Sequence, residues 1–223
     1  MSARLDVDVL AFDVFGTLFD HESAVEAVKS ELGEVAGEIA RIWRFKQLQY
    51  SWLRTLMHRP ADFAAVTREG LDYALAATGT DPRHAETMMA TYRRLAPFPE
   101  VKDALDGLRR DGRRLAVLSN GSASMLESVI SETGLEGRFE ALLSAADANV
   151  FKPHPLVYRL AVDRLGVPPE RLCLVSSNSW DAVGAAAFGL KAVWVNRKGE
   201  PTERLPATVD AEVDDLSQLS SLV

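Results

Sequence analysis

Short apolar runs alternate with longer amphipathic stretches along most of the chain. Five of the runs are predicted to be buried β-strands: Val9 to Val14, Arg114 to Leu118, Ala141 to Ser144, Leu172 to Ser176 and Ala192 to Val195. Polar or Gly-containing turns bound each run, which is typical of a parallel sheet covered on both faces. Helical patterns lie between them at residues 125–132, 156–165 and 180–188, the last two ending at a glycine. This alternation predicts an α/β core with a doubly wound parallel sheet.

Residues 19–98 break this alternation. They contain no clear strand, and apolar residues recur there at helical spacing on one helix face: Ile42, Phe45, Leu48, Trp52, Leu53 and Leu56. We therefore predict a helical cap domain at 19–98, inserted after the first strand of a core domain made of residues 1–18 and 99–223. Trp43 and Trp52 are expected to pack in the core or in the cap rather than to stack on a ligand.

The composition narrows the possible partners. The chain has 223 residues, of which 47% are hydrophobic and 26% charged, with a formal net charge of -7. An acidic balance disfavours nucleic acid and anionic membranes, but it is compatible with a small anionic substrate. The N-terminus lacks a signal-peptide pattern, and no apolar run approaches the roughly 20 residues that span a bilayer. We expect a cytoplasmic protein, in which the single cysteine, Cys173, is a core residue.

Polar side chains follow four of the predicted strands. They are Asp13 and Thr17, then Ser119, Asn120 and Ser122, then Lys152, and finally Ser176, Ser177, Asn178 and Asp181. Ligands of open α/β sheets bind outside the carboxyl ends of the strands, so these residues form a candidate site. Asp13 taken alone fits a turn cap better than a reactive group, because Asp is common in turns, and only the other strand ends reverse this preference. Gly16 permits a tight turn after it, from which Thr17 can hydrogen-bond the carboxylate.

The four segments resemble the motifs of the haloacid dehalogenase superfamily, in the same order. The first reads Asp13-Val14-Phe15-Gly16-Thr17-Leu18, the second Ser119-Asn120-Gly121, the third Lys152-Pro153-His154-Pro155, and the fourth Ser176-Ser177-Asn178-Ser179-Trp180-Asp181. The resemblance implies a Rossmann-like core and a covalent role for Asp13 as nucleophile.

Two departures from the superfamily's phosphatases affect the expected reaction. Phosphatases carry a second Asp as general acid two residues after the nucleophile, where this chain has Phe15. They also bind magnesium through an early carboxylate of the fourth motif, where this chain has the neutral Ser177. A halide leaves without a proton, whereas a phosphate ester needs one. The sequence therefore favours displacement of halide without a metal or other cofactor.

The cap narrows the resemblance to the L-2-haloacid dehalogenases. The segment Trp43-Arg44-Phe45-Lys46-Gln47-Leu48-Gln49-Tyr50-Ser51-Trp52-Leu53-Arg54 looks like theirs, as does Arg94-Leu95-Ala96-Pro97-Phe98. That branch usually has Tyr where this chain has Phe15. The resemblance implies hydrolysis of L-2-haloalkanoic acids to D-2-hydroxyalkanoic acids and halide through an aspartyl ester, and it implies a homodimer.

The resemblance also assigns roles to individual residues. The expected catalytic residues are Asp13, Thr17, Arg44, Ser119, Lys152, Tyr158, Ser176, Asn178 and Asp181. The expected substrate contacts are Val14, Phe15, Arg44, Ser119, Asn120, Phe63 and Trp180. Plain packing remains an alternative for Phe63, Tyr158 and Trp180. A phosphatase acting on a small phosphorylated metabolite and a degenerate binding subunit remain the rival functions.

Overall fold

A parallel sheet forms the centre of the molecule. The computed structural model describes residues 4–223, and in this range the sheet has six strands. They are β1 (Val9–Phe12), β2 (Arg114–Ser119), β3 (Ala141–Ser144), β4 (Leu172–Ser176), β5 (Lys191–Val195) and β6 (Ala211–Val213). The spatial order is β3-β2-β1-β4-β5-β6, and every neighbouring pair is parallel. The predicted doubly wound α/β core is confirmed.

Nine α-helices accompany this sheet within residues 4–223. They are α1 (Ser23–Glu26), α2 (Lys29–Leu32), α3 (Val35–Leu56), α4 (Phe63–Ala77), α5 (His84–Tyr92), α6 (Val101–Arg110), α7 (Ala123–Glu132), α8 (Pro155–Leu165) and α9 (Ser179–Phe188). Helices α8 and α9 end where predicted, because Gly166 and Gly189 adopt φ values of 67° and 105° that side chains disfavour. In this part of the chain, none of the helices combines the length and the apolarity needed to cross a membrane.

The strands differ from the prediction mainly at their ends. Strand β1 stops at Phe12 rather than Val14, because the Val14 carbonyl turns to accept the amides of Thr17, Leu18 and Phe19. Strand β2 extends by one residue to Ser119. Strand β6 was missed, since it has only three residues and lies at the sheet edge with one exposed side chain. Such a short edge strand leaves little periodicity to read.

Strand β1 is buried on both faces. Leu10 and Phe12 belong to one apolar cluster, whereas Val9 and Ala11 belong to the cluster on the opposite face. Successive residues of a strand point to opposite faces, so this division means that both faces of the sheet are covered. Cys173 is buried as predicted, and burial raises the pKa of its thiol to about 12.

The long helix α3 is confirmed, but its packed face differs from the apolar face seen in the sequence. Its buried residues are Ala36, Ile39, Trp43, Gln47 and Ser51. The apolar residues Phe45 and Leu56 are instead 55% and 75% exposed. Packing against α4 explains which face is buried. The Trp43 indole donates to the Thr67 carbonyl at 2.8 Å. A Cβ on Gly70 would lie 3.0 Å from the backbone nitrogen of Gln47. Close backbone approach thus decides which face is buried.

Candidate active site

The carboxyl ends of β1 and β4 bring Asp13 and the fourth motif together. Phe12 lies opposite Val175 in the register, and the Asp13 amide donates to the Val175 carbonyl at 3.0 Å. The sheet changes its winding direction around β1 in this strand order, which is where open α/β sheets bind ligands. The candidate site therefore lies at the topological switch point.

A tight turn holds Thr17 against the Asp13 carboxylate. Gly16 has a φ of 92°, in the region that favours glycine, and it lets the chain fold back after Phe15. The Thr17 hydroxyl donates to Asp13 Oδ2 at 3.0 Å and accepts from the Ser177 amide at 2.8 Å. The hydroxyl is fixed from both sides and links the first motif to the fourth.

Two carboxylates share one buried ammonium group. Lys152 Nζ lies 3.2 Å from Asp13 Oδ1 and 2.8 Å from Asp181 Oδ2. Lys152, Asp13 and Asp181 are 1%, 6% and 0% exposed. Tyr158 completes the group by donating its hydroxyl to Asp181 Oδ1 at 2.8 Å. The hydroxyl of Tyr158 thus contacts Asp181, whereas the contacts considered from the sequence were with Lys152 or Asp13, and its ring is buried as the packing alternative expected.

Burial and charge shift the protonation equilibria of this cluster. Burial by itself would lower the pKa of Lys152, but Asp13 and Asp181 outweigh it and raise the pKa. Burial raises the pKa of Asp181 above its usual value, against the opposing effect of Lys152. Burial and the neighbouring Asp181 raise the pKa of the Tyr158 hydroxyl well above its usual value. Lys152 therefore stays a cation and Tyr158 stays a donor through the neutral range.

Asn178 and Arg44 connect the sheet to helix α3. Asn178 Nδ2 donates to Asp13 Oδ2 at 2.8 Å and to the Phe15 carbonyl at 3.2 Å. Arg44 Nη2 donates to Asn178 Oδ1 at 2.7 Å, so the predicted cap residue does reach the site. Ser176 contributes indirectly, since its hydroxyl accepts a hydrogen bond from the backbone N–H of Asn178 at 3.1 Å.

The second motif lines the same end of the sheet but makes different contacts. Ser119 Oγ accepts the Gly121 amide at 3.1 Å, and Asn120 Oδ1 accepts the Lys152 amide at 2.9 Å. Asn120 therefore positions the lysine backbone. The Val14 side chain lies in the core with no exposed surface, so its contribution near the site is the backbone turn.

Aromatic rings pack around Phe15. Its ring centroid lies 5.9 Å from that of Phe63 and 5.3 Å from that of Tyr92. A Cβ on Gly121 would lie 2.8 Å from Phe15 Cε2, so the second motif also packs directly on this ring. Trp180 packs edge-to-face on Trp52, with ring centroids 5.4 Å apart. The rings join the sheet to the helices of residues 19–98.

A cavity of about 770 Å³ lies beside the charged cluster rather than directly over Asp13. Arg44, Asn178 and Trp180 are among its lining residues, and Asp13 is not among the described residues that line it. Asn178 borders the cavity and also contacts Asp13, so a small ligand in this cavity lies one side chain away from the carboxylate.

The side chain of Gln47 is a buried polar group in the helices of residues 19–98, and it was not predicted from the sequence. Gln47 is 1% exposed, and its amide bonds Thr67, Tyr92 and Arg44. The only signal in the sequence is the position of Gln47, three residues after Arg44 on the same helix. Many exposed helix residues share that spacing, so burial could not be inferred from it.

The side chains around Asp13 offer few anionic ligands for a metal ion. Within residues 4–223, no group of three or more His, Cys, Asp or Glu side chains could hold a metal ion. Lys152 Nζ bridges the two carboxylates of the site. Ser177, at the place of the phosphatase carboxylate, instead uses its amide to bond Thr17.

Known proteins share this architecture and its sequence. The sequence-family model of the haloacid dehalogenase-like hydrolases matches residues 7–189 of this chain. An (S)-2-haloacid dehalogenase of Pseudomonas sp. (strain YL) is 42% identical, with 96% of this chain and 93% of the relative covered. Haloacetate dehalogenase H-2 of Moraxella sp. (strain B) is 40% identical, with 97% and 98% covered.

A solved structure extends the similarity to the fold. It is the L-2-haloacid dehalogenase from Xanthobacter autotrophicus with chloropropionic acid covalently bound. It superimposes with a TM-score of 0.90 at 34% identity, covering 97% of this chain and 98% of that one. The chain therefore belongs to the haloacid dehalogenase-like hydrolase family and, within it, to the L-2-haloacid dehalogenases.

Proposed function

We propose that this protein hydrolyses L-2-haloalkanoic acids to D-2-hydroxyalkanoic acids and halide, with Asp13 as the covalent nucleophile and without a metal ion. The observation that carries the proposal is the environment of Asp13. Its carboxylate accepts from Lys152, Thr17 and Asn178, while Phe15 stands where a phosphatase needs an acid. An ionised, oriented carboxylate without an acid beside it suits a leaving group that departs as an anion.

The first step is displacement at C2. An Asp13 oxygen forms a bond to C2 from the side opposite the halogen, and the carbon–halogen bond breaks with its electron pair leaving on the halide. The product is an ester of Asp13 with inverted configuration at C2, and no proton is transferred. Lys152, Thr17 and Asn178 hold the carboxylate by hydrogen bonds, which fixes its direction of attack.

The second step is hydrolysis of the ester. Water attacks the carboxyl carbon of Asp13, so C2 keeps its inverted configuration and the hydroxy acid leaves with an oxygen that belonged to Asp13. Asp181 takes a proton from the attacking water and returns it to the departing alkoxide oxygen when the tetrahedral intermediate collapses. Asp13 then releases its remaining proton to solvent and is a carboxylate again. Burial raises the pKa of Asp181, which makes it a better base once ionised than an exposed aspartate. Lys152 and Tyr158 hold its two oxygens at 2.8 Å each.

The anionic substrate needs positive charge and apolar walls. Arg44 borders the cavity and supplies the charge that the substrate carboxylate and the departing halide both require. Trp180 also borders the cavity, and we assign its ring to the alkyl group of the substrate. Ser119, Asn120, Phe15 and Phe63 are buried and do not line the cavity, so their contacts with substrate remain predictions from the sequence. The homodimer, the cytoplasmic location and the domain boundaries at 18/19 and 98/99 remain predictions from the sequence.

Halide release is the direct test. We expect chloride from (S)-2-chloropropionate and not from the (R) enantiomer, with the same rate in the presence of a chelator. Haloacetate should be included, because one relative is named a haloacetate dehalogenase. Release of phosphate from generic phosphoesters with magnesium, together with no halide release, would favour the phosphatase instead.

The nucleophile has its own variant and control. Asp13→Ala should lower halide release by more than about 1,000-fold, because the reaction loses the group that forms the ester. Asp163→Ala, at an exposed carboxylate of α8, should leave it unchanged. Residual release within about tenfold of the original rate in Asp13→Ala would contradict the covalent scheme.

A further inference from the structure

A chain of hydrogen bonds begins at Gln47, inside the helices of residues 19–98, and runs through Arg44 and Asn178 to Asp13. A buried amide must satisfy its donors and its acceptor to offset desolvation. Gln47 does so completely. Its Nε2 donates to Thr67 Oγ1 at 2.7 Å and to Tyr92 Oη at 2.9 Å, and its Oε1 accepts from Arg44 Nη1 at 2.7 Å.

The partners of Gln47 fix which way its amide points. The Thr67 hydroxyl donates its proton to the Phe63 carbonyl at 2.7 Å, so only its lone pairs remain for Gln47. Gln47 must therefore turn its NH₂ group toward Thr67, and its oxygen then faces Arg44. Gly70 on α4 lies against the α3 backbone, because even a Cβ there would lie 3.0 Å from the Gln47 backbone nitrogen. The α3 backbone therefore has no room to move closer to α4.

The same logic fixes the amide of Asn178. A guanidinium group donates and never accepts, so Arg44 Nη2 requires the oxygen of Asn178, at 2.7 Å. The NH₂ group of Asn178 is thereby directed at Asp13 Oδ2, at 2.8 Å. If Asn178 flipped, its oxygen would face the Asp13 carboxylate, and two acceptors would repel each other.

We propose that Gln47 is a positioning residue for this reaction: by aiming Arg44, it sets the amide orientation of Asn178 and hence the direction of the Asp13 carboxylate. The proposal rests on the proposed function. Gln47 borders the cavity beside Arg44 but does not contact Asp13, and we assign its effect on the reaction to its bond with Arg44. Without its acceptor, the Arg44 side chain is free to leave Asn178 for the cavity that it already borders. Misalignment of a nucleophile by about 1 Å slows a reaction by roughly 100-fold.

The experiment compares four variants, three single and one double, in single-turnover halide release with excess enzyme. Gln47→Met keeps the length of the side chain and removes its hydrogen bonds. Thr67→Val removes the acceptor that orients Gln47. Arg54→Met is the matched control, because it removes bonds between the same two helices, from Nη2 to the Glu69 carboxylate at 2.7 and 2.8 Å, at a residue that neither borders the cavity nor adjoins Arg44. Thermal unfolding of each variant records the structural damage.

Rate constant and amplitude separate positioning from structural damage. We expect Gln47→Met to lower the single-turnover rate constant by about 10- to 100-fold. Thr67→Val should lower it by about 3- to 10-fold, and the double variant should be no slower than Gln47→Met, because both changes act through one path. Arg54→Met should lower the unfolding temperature slightly while its rate constant stays within twofold of the original protein.

Three results would overturn the positioning role of Gln47. An unchanged rate constant in Gln47→Met, with only a smaller amplitude or a lower unfolding temperature, would reduce Gln47 to a packing residue. So would multiplicative effects of Gln47→Met and Thr67→Val. If Gln47→Met does not fold, an unchanged rate constant in Thr67→Val decides against positioning. No halide release by the original protein would instead refute the proposed function, which keeps the two failures distinct.

Discussion

The two halves of the site use different physics. On the sheet side, Asp13, Lys152 and Asp181 are charged groups in direct contact, almost completely removed from water. On the helical side, Gln47, Thr67 and Tyr92 are neutral groups joined by hydrogen bonds, and Arg44 is the one charge that they present. The sheet side holds the reactive charge, and the helical side aims it. Removing a member of each half should therefore give different signatures.

The largest effect on stability should come from the charged half. Lys152→Met leaves two buried carboxylates facing each other without a cation, which should lower the free energy of unfolding by about 3–5 kcal/mol. Urea unfolding near neutral pH measures it. Adding Asp181→Asn should recover part of the loss, because one of the two unpaired charges is gone. A loss below about 1 kcal/mol in Lys152→Met would mean that the cluster is better solvated than its burial indicates.

The contact between the halves is tested at Gly121. A Cβ there would lie 2.8 Å from the Phe15 ring, so Gly121→Ala must displace the ring from Tyr92 and Phe63. We expect a loss of about 1–3 kcal/mol in unfolding free energy, together with slower halide release. Gly107→Ala is the control, because its Cβ would have only ordinary contacts, the nearest at 3.7 Å. Equal behaviour of the two variants would show that Phe15 adapts without consequence.

A single hydroxyl of the charged half should change the pH profile. The Tyr158 hydroxyl donates to Asp181 and lowers the pKa of that carboxyl, against the raising effect of burial. Tyr158→Phe removes this bond, so the pKa of Asp181 should rise and the acid limb of kcat should move to higher pH. The expected stability loss is about 1 kcal/mol. An acid limb that stays in place would argue against Asp181 as the base.

The smallest effect at neutral pH is expected on the helical side, at His21. Its Nδ1 is buried and has no hydrogen-bond partner among residues 4–223. Burial, then Arg44 and Lys198, lower the pKa of His21 well below 6.5. A lowered pKa contributes stability that is full above 6.5 and is lost as the pH falls through the folded-state value.

Unfolding measured at several pH values tests this linkage. His21→Leu should flatten the acid side of the stability profile by at most about 2 kcal/mol between pH 7 and pH 5, the limit for a ring that stays neutral in the folded chain. The original protein should show the steeper loss on acidification. Parallel profiles of the two proteins would mean that the His21 ring is protonated as easily in the folded chain as in the unfolded one.

The comparison also explains what the sequence could reveal. The charged half was predictable, since parallel strands collect their following residues at one edge and Asp13, Lys152 and Asp181 all follow strands. Helix ends at Gly166 and Gly189 were predictable too, because a positive φ is a local property of the chain. The motif resemblance added the roles of these residues, which topology alone does not assign.

The helical half was less accessible, because its important contacts depend on packing between helices. Gln47 looks like any polar residue on an amphipathic helix, and its burial follows from the close approach of α4 at Gly70. The exposed position of Phe45 is a consequence of the same packing. Hydrophobic periodicity identifies a helix, but it does not determine which neighbour the helix will contact.

One isotope measurement tests the central claim, that the Asp13 carboxylate forms an ester with C2. The protein, in excess over (S)-2-chloropropionate, is allowed one turnover in water enriched in oxygen-18, and the Asp13-containing peptide and the product are weighed by mass spectrometry. The account predicts one oxygen-18 in the Asp13 side chain and none in the hydroxy acid. Oxygen-18 in the hydroxy acid with an unlabelled Asp13 would mean that water attacks C2 directly, and it would contradict the account.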